Sequence, residues 1–214
     1  MKDLFTYKEF IGMMRKYKVD CTERQLICGE NILTNAVSPN SVILLVDGYV
    51  STYTNEAPKK LLSIFEPGVF LSYFIFENTP CVVSNIVLSE TCVVYEYKKE
   101  DIEYALTLFP ENFAFQYFFL RQIGRHLFYK TLLSGKPHKD KLYYAMKYLG
   151  ELIGSRDEEG NMVLPKEITL KMLIEYSTLS PAAFYRQRLQ LLEKKVLKPH
   201  RSSFMIQKSS PELR

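Results

Sequence analysis

The apolar and polar positions of this chain change texture along its length. The opening stretch YKEFIGMMRKY puts Phe10, Met13 and Met14 at helical spacing and predicts a first helix. From about Gln25 to Tyr97 the runs shorten and fill with Val, Ile, Leu, Tyr and Thr: QLICGENIL, SVILLVDGYVSTYT, KKLLSIFEPGVFLSYF and CVVSNIVLSETCVVYEY. Turn residues punctuate them at Gly29, Ser38–Asn40, Asp47–Gly48, Asn55–Pro58, Pro67–Gly68, Asn78–Pro80 and Ser89–Thr91. Strands this short, with no helical crossover between them, predict a β-sandwich or barrel rather than a parallel sheet.

The next stretch, PENFAFQYFFLRQIGRHLFYKTLLSGKP, has Pro110 near its start and Gly135 and Pro137 at its end. Those bounds predict one long helix, roughly 35 Å from end to end. Its apolar side chains run nearly all the way round, and such a helix needs cover on more than one side. The strand domain can cover one side, and a twofold copy of the helix is the simplest cover for the other. Phe113, Leu120 and Leu127 fall at heptad spacing with Ile123 beside them, and form the expected dimer seam. The competing reading is a core helix at the centre of a monomer.

Beyond the Gly-Pro break, HKDKLYYAMKYLGELIG predicts a further amphipathic helix, and SRDEEGNMVLP a polar loop. TLKMLIEYST predicts a short helix with Leu170, Leu173 and Ile174 inward. Thr178–Leu179 separates it from a second helix, which starts with Ser180 as an N-cap oxygen and Pro181 at the first helical position. Helix, tight turn and second helix is the form that lays its second helix in the DNA major groove.

At about 100° per residue, Tyr185, Leu189, Leu192 and Val196 line one stripe, flanked by Phe184 and Leu191 and expected to be buried. Ala183, Arg186, Gln187, Gln190 and Lys194 fall opposite, expected to face solvent. Arg186 there can donate two hydrogen bonds to guanine, and Gln187 or Gln190 can pair both edges of adenine. Ala183 is small enough to let the helix approach. Arg188, at the flank, is expected at phosphates or in a structural contact. VLKPHRSSFMI then reads as a hairpin with Lys198–Ser203 as its connection, which puts His200 and Arg201 beside backbone phosphates. A solvated amphipathic helix whose arginines touch nothing is the bland alternative.

Charge supports the polyanion reading. Residues 1–137 hold 14 Lys+Arg against 15 Asp+Glu, and residues 138–214 hold 14 against 9, so the net +4 comes from the C-terminal third. The four cysteines (Cys21, Cys28, Cys81 and Cys92) have no CxxC spacing, so they read first as reduced core thiols and second as redox groups. The start carries charge without an apolar run, and VILLV is far short of the roughly 20 residues that span a bilayer, so a cytoplasmic protein without membrane contact is expected.

The order of these parts resembles the Crp/Fnr family of bacterial transcription regulators. ENILTNAVSPNSVILLVDGYVSTY is similar to that family's first strands, and FEPGVFLSYFIF to its Gly-x-Phe-x-Gly-Glu segment. ITLKMLIEYSTLSPAAFYRQRLQLLEKKVLK is similar to its helix-turn-helix. The resemblance implies an α+β chain in three parts: a cyclic-nucleotide-binding-like β-barrel or jelly roll (1–109), a dimerisation helix and hinge (110–136) and a winged helix-turn-helix (137–214). It implies a homodimer on a pseudo-palindromic operator in double-stranded DNA, with RNA polymerase as a further partner, and no enzyme activity.

Departures from the family pattern shape the effector expectation. The Gly-Glu pair that receives the ribose falls on Ser72–Tyr73, and Val82 and Val83 stand where the phosphate-binding arginine is expected. Residues 61–97 contain no arginine, and a buried phosphate without a cationic partner is costly, so cAMP is not the expected effector and no cofactor is expected. An N-terminal cysteine cluster for an iron–sulfur centre is absent, and His126 is the only candidate haem ligand. The listerial virulence-regulator branch, which also lacks the nucleotide residues, is similar in this respect. Pro181–Ala182 replaces the family's Arg-Glu pair, so the operator is expected to differ from the Crp consensus. Two other classes stay open beside the regulator: a sensor or scaffold acting through protein partners, with a vestigial winged helix, and an enzyme built on the barrel, for which the sequence offers no carboxylate pair, metal cluster or Ser/His/Asp set.

Overall fold

The computed structural model describes residues 6–33, 40–55, 57–72, 83–108, 112, 114–199 and 204–207. In chain order the elements are α1 (Tyr7–Lys16), β1 (Thr22–Ile27), β2 (Ser41–Asp47), β3 (Val50–Thr54), β4 (Leu61–Phe65), β5 (Val83–Val87), β6 (Thr91–Lys98), α2 (Lys99–Thr107) and α3 (Ala114–Ser134). A 3₁₀ turn (His138–Asp140) follows, then α4 (Lys141–Ile153), β7 (Ser155–Arg156), β8 (Met162–Val163), α5 (Leu170–Ser177), α6 (Pro181–Glu193), β9 (Leu197–Pro199) and β10 (Phe204–Ile206). The chain divides into two compact units, Met1–Lys59 with Phe65–Arg125 and Lys60–Ile64 with His126–Arg214. The division falls inside β4 and inside α3.

The first unit opens with a capping box at α1. The Thr6 hydroxyl accepts from the Glu9 N–H, and the Glu9 carboxylate accepts from the Thr6 N–H. Of the expected sandwich or barrel, the described strands do not close a barrel. They make two open sheets of three strands, ordered β1–β6–β2 and β4–β3–β5. Single bridges, Asn31 to Ile86 and Leu44 to Phe70, are the isolated pairings outside the named strands. The uninterrupted VILLV run belongs to β2, which is buried on both faces. Val42 and Leu44 pack among Phe10, Met14, Tyr97 and Ile102, whereas Ile43 and Leu45 pack among Val50, Phe65, Val87 and Val94. A strand covered on both sides loses its polar alternation. Gly48 turns β2 into β3 at φ +90, and a Cβ there would meet the Thr91 carbonyl oxygen at 2.9 Å.

Helix α2 did not stand out from the pattern, because it follows β6 without a break. Glu100 and Asp101 in its first turn and the buried Ile102, Ala105 and Leu106 were the available signals. Helix α3 occupies 21 residues and lies within the stretch expected for it.

In the second unit α4 buries Leu142, Met146, Leu149 and Ile153, and with them Tyr143, Ala145, Tyr148, Gly150 and Leu152, so it is covered on more than the one face expected of an amphipathic helix. The polar loop expected after it is partly strand: Ser155 pairs with Val163 and Arg156 with Met162. β8 continues to β10 and β10 to β9, which gives an antiparallel sheet ordered β7–β8–β10–β9. Strand β9 extends to Pro199, so part of the expected connection is paired. Among the described residues no helix is long and apolar enough to cross a membrane.

Candidate nucleic-acid interface

Helices α5 and α6 are fixed by local chemistry at their ends. Thr169 Oγ1 accepts from the Met172 N–H at 3.2 Å, and Ser180 Oγ accepts from the Ala183 N–H at 3.3 Å. Pro181 follows as the first residue of α6. Between the helices Thr178 takes left-handed backbone at φ 57, and its hydroxyl accepts from Lys141 Nζ at 3.3 Å. Of α5's expected inward set, Leu173 is buried and Leu170 and Ile174 are half-buried, whereas Met172 and Tyr176 complete the buried face.

The buried arc of α6 is only partly the expected one, with Phe184, Leu191 and Val196 buried on the side foreseen. Ala183, Phe184, Gln187 and Leu191 face inward, while Tyr185 and Leu189 are 48% and 59% exposed. Ala183 and Gln187 are therefore corrected from the outer to the inner face, and Tyr185 and Leu189 from the inner to the outer. The cause is polar. The Gln187 side chain is 3% exposed, and its Oε1 accepts from the Leu142 N–H at 3.1 Å. Its Nε2 donates to the His138 carbonyl at 2.7 Å. Leu142 lies in the first turn of α4, whose own N-cap residue Asp140 makes no side-chain cap bond. Gln187 supplies that missing acceptor from another helix and turns α6 inward on that side.

The outer face of α6 therefore carries Ala182, Tyr185, Arg186, Leu189, Gln190 and Glu193, with Lys194 exposed just past its end. Arg186 and Gln190 are on the side the sequence placed them. Arg188 is half-buried at the flank, and Leu192 is half-buried rather than core. His200 and Arg201 lie outside the described residues.

Helix α5 is held from behind by Lys130 of α3. Its Nζ donates to the Tyr176 carbonyl at 2.8 Å and to the Leu61 carbonyl at 2.9 Å, and lies 4.1 Å from the centre of the Tyr176 ring. A cation on the last-turn carbonyls of a helix completes its C-terminus. Burial, with Lys141 nearby, pulls the Lys130 pKa down to about 8. His126, the one histidine weighed as a haem ligand, is buried, with Nδ1 hydrogen-bonded to Ser63 Oγ.

Along α3 the expected seam is split. Leu120 and Leu127 are 61% and 51% exposed. Ile123 is corrected to the core, where it packs with Leu26, Ile32 and Val94. Phe113 lies outside the described residues. The open stripe runs through Tyr117, Leu120, Gly124, Leu127 and Thr131, stepping by three and four residues, and nothing lies within 4 Å of a Cβ placed on Gly124.

Of the residues at the nucleotide-binding positions, Ser72 is fully buried and its Oγ accepts from the Ile43 N–H at 2.7 Å. Val83 is buried in β5, while Tyr73 and Val82 lie outside the described residues. Asn85 is fully buried, donating to the Leu71 carbonyl at 3.2 Å and accepting from the Thr52 hydroxyl. Cys92 is a core side chain, its thiol pushed up to about 12 by burial, while Cys21 and Cys28 are exposed and Cys81 lies outside the described residues.

No family model matches the chain, and no curated protein matches its sequence. Solved structures share its fold. A cyclic nucleotide-binding domain containing protein from Listeria monocytogenes EGD-e is 21% identical, with 94% of this chain and 97% of that one covered and a TM-score of 0.81. FixK2 from Bradyrhizobium japonicum is 16% identical, covering 89% and 94%, with a TM-score of 0.69. A transcriptional regulator of the CRP family from Thermus thermophilus is 14% identical, covering 86% and 91%, with a TM-score of 0.62. The likeness is one of fold, and it extends over both units.

Proposed function

We propose that this chain is a homodimeric, sequence-specific DNA-binding transcription regulator of the Crp/Fnr type, with an effector other than cAMP. The observation that carries the reading is Arg186 and Gln190 exposed together on a capped helix, inside the unit that holds the chain's positive charge. Arg186 suits a bidentate contact with guanine and Gln190 one with adenine. The α5–turn–α6 arrangement followed by the β9–β10 hairpin serves as the winged helix-turn-helix, and Lys194 adds a sequence-blind phosphate contact. The open stripe of α3 is where a second copy is expected to pack, and a pseudo-palindrome asks for two α6 helices about 34 Å apart, one turn of the duplex. Likeness in fold to a CRP-family regulator over 86% of this chain supports the same reading.

The effector part rests on Ser72, Val83 and Asn85, which use the interior for packing and internal hydrogen bonds and offer a nucleotide phosphate no cation. Those departures also support a place near the listerial virulence-regulator branch.

Selection of bound duplexes from a random pool tests the proposal. A pseudo-palindrome with half-sites one turn apart is expected, and Arg186→Ala should lose preference at one base pair per half-site, about 10- to 100-fold. Retention of no sequence above background at moderate salt refutes the regulator reading. A rise in melting temperature with millimolar cAMP refutes the effector reading.

A further inference from the structure

The outer face of α6 holds more than hydrogen-bonding groups. Tyr185 and Leu189 stand out from it, four residues apart, with Arg186 between them in sequence and beside them on the surface. Both side chains are more exposed than a folded chain needs, because Phe184 and Leu191 already fill the inner arc. The Tyr185 ring meets the Phe184 ring edge-on at 5.6 Å between centres, so a buried neighbour braces it. Pro181 and Ala182, also exposed, keep the N-terminal end of this face low.

We propose that Tyr185 and Leu189 are specificity-determining residues that read thymine methyl groups in the major groove, on either side of the base pair read by Arg186. The inference rests on the reading of α6 as the DNA-facing helix and deepens it. The thymine methyl is the one apolar group a base edge presents in that groove, and apolar side chains are its complement. Four residues of helix rise about 6 Å, roughly two base-pair steps, so the pair can bracket a guanine. A protein partner is the other occupant to weigh. Two apolar side chains set among Arg186, Gln190, Glu193 and Lys194 make a patch far smaller than a stable protein interface uses. The surplus of Lys and Arg over Asp and Glu in residues 138–214 favours a polyanion instead.

The test uses the full-length protein and a duplex selected from a random pool, with thymines replaced one at a time by deoxyuridine. That change removes the methyl and leaves Watson–Crick pairing intact. Each contacted thymine is expected to lie within two base pairs of the guanine, and its replacement to weaken binding about fourfold, the equivalent of roughly 0.8 kcal/mol. Leu189→Ala should abolish sensitivity at one such position and Tyr185→Ala at another, while far-ultraviolet circular dichroism and melting temperature stay near wild type, since both side chains are exposed. A selected duplex whose affinity is indifferent to every deoxyuridine overturns the inference and leaves the regulator reading standing. So does methyl sensitivity that survives both substitutions. A chain that selects no sequence loses the inference together with the regulator reading.

Discussion

Helices α3 and α6 both turn large apolar side chains to solvent, and the company those side chains keep differs. On α3 the open stripe steps by three and four residues through Tyr117, Leu120, Gly124 and Leu127. On α6, Tyr185 and Leu189 stand among Arg186, Gln190, Glu193 and Lys194. A stripe in heptad register suits a copy of itself, whereas apolar groups mixed with arginine and glutamine suit the edges of bases. The inner sides of the two helices share one device. A polar side chain from each completes a different helix: Lys130 finishes the C-terminus of α5, and Gln187 the N-terminus of α4.

The largest effect should come from α3. Leu120→Glu combined with Leu127→Glu is expected to raise the dimer dissociation constant at least ~100-fold, about 3 kcal/mol, by placing paired carboxylates in a desolvated seam. Sedimentation velocity measures it, and a wild-type chain that sediments as a monomer removes one side of the comparison. Next is Gln187→Ala, which strands the Leu142 N–H and the His138 carbonyl. Urea denaturation should register a loss of about 2–3 kcal/mol, with base preference in DNA selection unchanged. Altered preference instead would return Gln187 to the reading face.

Lys130 gives a pH test. Its folded pKa of about 8 is below the ordinary 10.5, so between those values the unfolded chain holds more protons and stability rises with pH. Wild type compared with Lys130→Met between pH 7.5 and 9.5 should show a rise on the order of 1–2 kcal/mol that the variant lacks. Parallel pH profiles would mean that the ammonium is not buried. The smallest change is expected from Tyr176→Phe. The Tyr176 hydroxyl is buried without a hydrogen-bond partner among the described residues, so its loss should shift the melting free energy by no more than about 1 kcal/mol, in the stabilising direction.

The sequence carried most of the architecture because the architecture rests on local signals. Ser180–Pro181 marked the start of α6, Gly135 and Pro137 the limit of α3, and the strand texture the first unit. What it hid were decisions made by distant partners. The wheel of α6 sorts side chains by hydropathy, and Gln187 is buried for two hydrogen bonds to backbone some 45 to 49 residues away. Its inward pull carries Tyr185 and Leu189 outward. Ile123 reads as part of a seam until the strands that bury it are in place. Helix α2 lacked the turn residue that would have separated it from β6. Sheet closure is also a long-range property, which short alternating runs do not specify.

Thr178 has a consequence of its own. A β-branched residue at φ 57 occupies a narrow backbone well that glycine would widen, at a cost of about 1–2 kcal/mol. With its hydroxyl tethered to Lys141, the elbow between α5 and α6 has little room to swing. The chain gives up stability at that bend and gains a defined angle between α5 and α6, so a partner proposed for the α6 face would meet a bend already set in the free chain.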